Sequence, residues 1–294
     1  IKMDYILRAT AGDGSVRVFI ANTKETVQQA FLHHKTSPVM SAALGRALTA
    51  VSIMGSMLKA DDDLVTIRIN GDGPGKGLIV TGDSKARVKG YPFNPIVDIP
   101  LKPNGKLDVQ GALGEGSLTI IKDMGLKEPY VGQIPLVSGE IAEDLTYYFA
   151  KSEQTPSAVS LGVLVDRDYS IKQAGGFIIQ VMPNADENII SSLENKLATM
   201  KSFTTLLEEG NTIENILDML LGEFGVNILD KIPVEFYCNC SKEKVEKALI
   251  SIGKEELQNI IEEDKKATLH CHFCNKDYEF NEQDLVNLLN ECTK

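Results

Sequence analysis

Four cysteines close to the end of the chain, Cys238-Asn239-Cys240 and Cys271-His272-Phe273-Cys274, form two close pairs separated by thirty residues. Two thiolates from each pair can reach a single zinc ion at about 2.3 Å while the segment between them folds back, so the set reads as one tetrahedral four-sulfur site. The same spacings allow local disulfides. Cys271 and Cys274 form a C-x-x-C, and Cys238 and Cys240 fall within the about 4.4 to 6.8 Å Cα separation that a disulfide tolerates if the backbone bends. Sulfurs that can hold a metal or hold each other have the chemistry of a redox switch. Four buried thiols filling an apolar core would lie scattered rather than as C-x-C and C-x-x-C. His270 and His272 are alternative ligands beside an already complete set of sulfurs, and Cys292 lies outside the pattern as a spare thiol.

These ligands need a framework. At 294 residues, with 43% hydrophobic and 24% charged residues, the chain has the composition of a soluble globular protein of about two domains. Its net charge of -11 argues against phosphate-backbone binding, which draws on clustered Lys and Arg. All five cysteines follow residue 237, which is the usage of a reducing cytosol. No basic-then-apolar leader opens the sequence and no uninterrupted apolar run approaches about 18 residues, so a cytoplasmic, membrane-free protein is expected. Met3 reads as the natural start, with Ile1 and Lys2 as an appended remnant.

Residues 3–22 alternate around Gly12-Asp13-Gly14 as a hairpin, with Tyr5, Leu7, Val16, Val18 and Ile20 as inward or half-buried positions. Helical spacing follows over 23–34, and Ser37-Pro38 caps a second helix whose small and apolar residues on nearly every face predict burial between layers. Strand-like runs recur at 64–69, 78–80, 86–91, 117–122, 132–137, 159–165 and 171–181, with a helix over 140–151. The mixture without a regular βαβ beat predicts an α+β fold, with a mixed-sheet domain and buried helices over 3–182. From 183 to 230 the pattern is helical and amphipathic with no strand signal, and Asn211 with Glu214 resembles a capping box. Residues 231–294 form a small four-cysteine module with helices near Ser241, over 253–261 and over 281–289, and a turn into a strand at 275–280.

Other motifs carry less. Gly71-Asp72-Gly73-Pro74-Gly75-Lys76-Gly77 departs from a phosphate loop at Asn70 and Gly77, and a hairpin turn explains its glycines. His33-His34 has no acidic or thiol partner in register. No grouping of Ser, His and Asp signals an active site, so no enzyme is expected.

The paired cysteines, together with Thr36-Ser37-Pro38, Ser41-Ala42-Ala43-Leu44-Gly45-Arg46, Gly71-Asp72-Gly73-Pro74, Ser138-Gly139-Glu140-Ile141-Ala142-Glu143-Asp144, Ser152-Glu153-Gln154 and Gly175-Gly176-Phe177, resemble the redox-regulated 33-kDa heat-shock chaperone family of bacteria. The resemblance runs in order along the whole chain. It implies an ATP-independent holdase for unfolding proteins, zinc-bound through Cys238, Cys240, Cys271 and Cys274 and inactive when reduced. Oxidants would pair the cysteines, expel zinc, unfold the C-terminal part and promote a homodimer. Local pairing, Cys238 with Cys240 and Cys271 with Cys274, has the lower loop-closure cost. A zinc ribbon on nucleic acid would use the same ligands, but residues 231–294 carry nine Lys and Arg against thirteen Asp and Glu. A thiol oxidoreductase places its C-x-x-C where a strand opens into a helix, unlike the turn expected here.

Overall fold

Apolar alternation from Tyr5 onward builds strands with two buried faces. A computed structural model describes residues 3–292, so Ile1 and Lys2 lie outside the described residues. The chain opens with β1 (Tyr5–Ala11), β2 (Val16–Asn22), α1 (Lys24–His34) and α2 (Pro38–Ser56). It continues through β3 (Leu64–Gly71), β4 (Gly77–Asp83), β5 (Arg87–Pro92), α3 (Val109–Leu113), β6 (Gly116–Asp123) and β7 (Tyr130–Pro135). Then come α4 (Ala142–Ser152), β8 (Ser157–Val165), β9 (Ile171–Val181), α5 (Glu187–Thr199), α6 (Phe203–Glu208) and α7 (Ile213–Leu221). The remainder comprises β10 (Asn227–Pro233), β11 (Glu235–Phe236), α8 (Lys242–Ser251), α9 (Lys254–Glu263), β12 (Lys266–Cys271), β13 (Lys276–Asn281) and α10 (Glu282–Glu291).

The fold is α+β, as expected. One sheet runs β10-β1-β2-β9-β8 and a second runs β11-β5-β4-β3-β6-β7. Both are antiparallel apart from the two-residue parallel pairing of β11 with β5. Between the sheets lies α2, with Pro38 in its first turn, and nearly every residue from Val39 to Ser56 is buried; the Ser37 hydroxyl, expected to cap this helix, instead accepts from Val97 N–H at 3.0 Å. Its length and mean hydropathy of 1.3 would suit a membrane span, yet 94% of it is buried inside the protein. It is a core helix. One core joins α1 and α2 to facing residues of both sheets, such as Ile6, Phe19, Ile67, Val80 and Ile178.

The glycine-rich stretch at 71–77 is the β3–β4 hairpin. Gly77 has φ +126, and a Cβ there would lie 1.9 Å from the Ile69 carbonyl oxygen, so the turn rather than a ligand demands glycine.

Two compact units divide between Tyr237 and Cys238. The chain from 227 to 236, whose first four residues fall in the stretch read as helical without strand signal, pairs as β10 with β1 and as β11 with β5. Six of the seven β10 residues are exposed, so neither face imposes an alternating pattern, and backbone bonding to a distant strand decides the conformation. The capping box of α7 also differs from expectation. Thr212 and Asn215 form it, with Asn215 N–H donating to Thr212 Oγ1 at 3.2 Å and Thr212 N–H donating to Asn215 Oδ1 at 3.0 Å. Asn211 instead closes α6 by donating from Nδ2 to the Leu206 carbonyl at 2.9 Å, and Glu214 accepts from Tyr5.

Candidate metal centre and a covered apolar face

In the second unit the antiparallel β12–β13 hairpin sets Cys271 at the end of one strand and Cys274 in the turn. The turn is tight. The Cys271 carbonyl accepts from Cys274 N–H at 3.3 Å and from Asn275 N–H at 2.8 Å, with Asn275 in the left-handed region at φ 57. Cys238 and Cys240 immediately precede Ser241, which caps α8. The four Sγ atoms lie within 4.8 Å of one another. Cys238 stands 3.7 Å from Cys271, and Cys240 stands 3.5 Å from Cys274. A tetrahedral shell with Zn–S bonds of about 2.3 Å sets its sulfurs about 3.8 Å apart, so these two separations match such a shell. Soft sulfur donors suit zinc better than magnesium or calcium.

The electrostatics are those of thiols competing for protons. Burial raises the Cys240 pKa, but hydrogen bonds from Tyr278 Oη, at 3.1 Å, and from the neighbouring thiols outweigh it and bring the value down to about 7. Burial pushes Cys238 and Cys274 up. Cys240 is thereby drawn toward the thiolate, the form that ligates metal and attacks oxidants, whereas Cys238 and Cys274 hold their protons more tightly. His270 is engaged elsewhere, with Nδ1 2.6 Å from Asp277 and Nε2 3.0 Å from Asn275. The Cys292 sulfur lies 4.0 Å from the Ile250 carbonyl, outside the four-sulfur group. Beneath the site sits a small core of Leu249, Leu257, Tyr278, Phe280, Leu285 and Leu288. Sequence reasoning missed Tyr278. Its place two residues into the strand after the turn is visible in the chain, but its aim at Cys240 depends on the hairpin packing.

A second feature lies in the first unit. The face of the five-stranded sheet turned away from α2 presents Leu7, Val16, Val18, Ile20, Phe177 and Ile179, and the helices α5, α6 and α7 bury it. Ile189 and Leu193 come from α5, Phe203, Leu206 and Leu207 from α6, and Ile213, Ile216, Leu217, Leu220 and Leu221 from α7. Seating is close where α6 crosses paired Gly162 and Gly175, since a Cβ on Gly162 would lie 2.8 Å from the Thr204 methyl and one on Gly175 2.7 Å from the Phe203 ring. Polar clasps border the face. Tyr5 Oη donates to Glu214 at 2.9 Å, and Lys172 pairs with Glu208 at 2.8 Å. Burial and then the Glu214 carboxylate raise the Tyr5 pKa to about 12, which keeps the phenol a donor at physiological pH.

Gly162→Ala tests this seating, because its added methyl meets the Thr204 side chain first. Overpacking costs about 1–3 kcal/mol. Amide exchange over 203–208 is expected to quicken roughly tenfold, with exchange in α2 unchanged; unaltered exchange in α6 would show that the helix is not held by this contact.

The model of the family described as Hsp33 protein matches residues 4–281. The chain belongs to the Hsp33 family. Its relatives in that family include the 33 kDa chaperonin of Lachnoclostridium phytofermentans, 55% identical over 97% of this chain and 98% of the relative. The 33 kDa chaperonin of Clostridioides difficile is 54% identical over 98% of this chain and 99% of the relative. Among solved structures, the 33 kDa chaperonin of Thermotoga maritima superposes with a TM-score of 0.91 at 37% identity, over 99% of each chain. The Hsp33 fold thus extends through both the covered sheet face and the four-cysteine unit.

Proposed function

We propose that this chain is a redox-gated, ATP-independent chaperone that holds unfolding proteins. The observation carrying the reading is the apolar sheet face around Val18, Ile20 and Phe177, covered by short helices. Those helices span 13, 6 and 9 residues, at or below the about 12–15 residues at which an isolated helix becomes marginal in water. Their helicity depends on staying docked. Once undocked, they and the face they leave offer Ile, Leu and Phe side chains to a client, and nothing in that exchange needs a nucleotide or a catalytic group.

The roles divide along the chain. Residues 3–182 act as the α+β core, 183–230 as the linker, whose helices run from Glu187 to Leu221 before β10 begins, and 231–294 as the switch module, whose metal-holding part opens at Cys238. Cys238, Cys240, Cys271 and Cys274 are the ligands of one zinc ion per chain. Zinc, when bound, supplies a four-way cross-link with an apparent stability contribution of about 10–16 kcal/mol at neutral pH. A core of six buried side chains in a module of this size contributes only about 3–5 kcal/mol, so the module folds with its sulfurs in the thiolate state. Oxidation turns the four thiolates into two disulfides. They give up four electrons, which two molecules of hydrogen peroxide accept together with four protons from the solvent to become four of water. The donor set is then consumed and the module loses its fold, which loosens the linker that precedes it and favours a homodimer. Free thiols at rest fit a cytoplasmic protein, and client polypeptides rather than nucleic acid or membrane are the partners.

Light scattering from a thermally unfolding client tests the function. The oxidised full chain should suppress aggregation at near-stoichiometric ratio and the reduced, zinc-loaded chain should not; equal activity of both states would remove the redox gate. Peptide mapping of the oxidised chain should find Cys238–Cys240 and Cys271–Cys274 as the dominant bridges, since sulfurs adjacent in sequence close the shortest loops. A dominant bridge between the two pairs would contradict this pairing.

A further inference from the structure

Tyr278 brings a hydroxyl to the four-sulfur group, donating from Oη to Cys240 Sγ at 3.1 Å. Among the described residues no other hydroxyl hydrogen-bonds to Cys238, Cys240, Cys271 or Cys274. The donor is firmly held. Tyr278 is 7% exposed, its ring belongs to the small core with Leu249, Leu257 and Phe280, and its backbone pairs with Leu269 across the β12–β13 hairpin. Lys276, on the same strand, sets its ammonium 5.0 Å from the centre of the phenol ring. A cation over the ring draws electron density from it and makes the hydroxyl a stronger donor.

A buried phenol needs a hydrogen-bond partner, and the partner here is a sulfur with chemistry of its own. A metal held by the four cysteines requires all of them as thiolates. In that state the Tyr278 contact cannot change how much thiolate there is, and it acts on the lone pairs of the sulfur instead. A thiolate that shares its charge with a donor is the weaker nucleophile. Attack on hydrogen peroxide starts from such a lone pair: an S–O bond forms as the O–O bond breaks, and the sulfur gives up an electron pair to become a sulfenic acid. The departing hydroxide takes a proton from solvent and becomes water.

We propose that Tyr278 is a positioning residue of the switch, its hydroxyl shielding the Cys240 sulfur from oxidants while the metal site is intact. The proposal rests on the redox reading for the oxidant, but the contact and its effect on sulfur reactivity do not depend on client binding. Tyr278 thereby makes two neighbouring sulfurs of one site, Cys238 and Cys240, unequal toward the same reagent.

The test uses the reduced, zinc-loaded full-length chain and limiting N-ethylmaleimide, whose C=C bond takes up the thiolate sulfur on one carbon and a solvent proton on the other. Fragment-ion mass spectrometry reads each cysteine separately. Tyr278→Phe keeps the ring in the core and removes only the donor, so Cys240 should be labelled about fivefold faster relative to Cys238 than in wild type. A ring-fluorinated tyrosine installed at position 278, a stronger donor of nearly the same shape, should slow Cys240 below wild type at neutral pH. Limiting hydrogen peroxide in place of the maleimide should give the same order for loss of free Cys240. The proposal is overturned if either chain leaves Cys240 unchanged, or if all four sulfurs quicken together, which is the mark of a merely loosened fold. Should Tyr278→Phe lose its zinc, the fluorinated chain decides alone, and Cys240 reacting there as fast as in wild type overturns the shield. Aggregation suppression by the oxidised wild-type chain is measured separately: its absence, with the Cys240 contrast intact, removes the redox gate and leaves the shield standing.

Discussion

In the Cys271→Ser chain, zinc is expected to fall from one per chain to near zero, and the unit beginning at Cys238 is expected to lose its fold. Cys271 belongs to the group of sulfurs within 4.8 Å of one another, and a hydroxyl in its place removes a thiolate from a set with no spare. His270 cannot step in without breaking its contacts with Asp277 and Asn275. Losing most of an apparent 10–16 kcal/mol leaves a module whose core contributes only about 3–5 kcal/mol. Metal analysis combined with amide chemical-shift dispersion reads both consequences, and excess chelator should reproduce them in the wild-type chain. Cys292→Ser is the control and should keep its zinc, since that sulfur lies near the Ile250 carbonyl and outside the group. A Cys271→Ser chain that retained both zinc and dispersion would falsify the four-sulfur assignment.

The second large effect concerns the linker. Leu217 is 2% exposed on α7 and packs within the cluster that covers the sheet face. Truncating a buried Leu to Ala costs about 2–5 kcal/mol, a large part of what can hold a short docked helix in place. Leu217→Ala, still reduced and zinc-loaded, is therefore expected to exchange amides across 187–221 at least tenfold faster than wild type and to suppress client aggregation without oxidant. Leu217→Met conserves volume and should behave as wild type. If exchange rises in Leu217→Ala while clients still aggregate, the covered face is not the client surface, and another part of the protein holds them.

The parts of the molecule legible in the chain are those set by neighbours a few residues apart. Pro38 marks the start of α2 because a first-turn proline acts within one helical turn, although the Ser37 hydroxyl before it bonds to Val97 N–H and the Pro95 carbonyl and not to its own helix. Ser241 and Asn281 cap α8 and α10 just as locally, each accepting from the N–H three residues on. The ligand pairs are legible because two sulfurs two or three residues apart must lie close in any compact fold. Even here locality has limits. Asn211 and Thr212 are both good caps, and the choice of Thr212 followed from Asn211 being drawn back to the Leu206 carbonyl of the preceding helix.

What only the tertiary structure decided depends on partners distant in the chain. Tyr5, Leu7, Val16, Val18 and Ile20 alternate visibly, but alternation does not reveal that Ile6, Phe19 and Ala21 between them face a second core, or that α5–α7 cover the first set. Strand β10 had no signature because both of its faces are exposed and its pairing with β1 joins residues more than 200 positions apart. Tyr278 reaches Cys240 only once β12 and β13 have paired, and β8 becomes an edge only because β9, rather than β8, pairs with β2. Caps and ligand spacing are written in short-range geometry, whereas sheet order and covered faces are chosen by which distant surfaces bury the most apolar area together, a comparison that no local stretch of sequence contains.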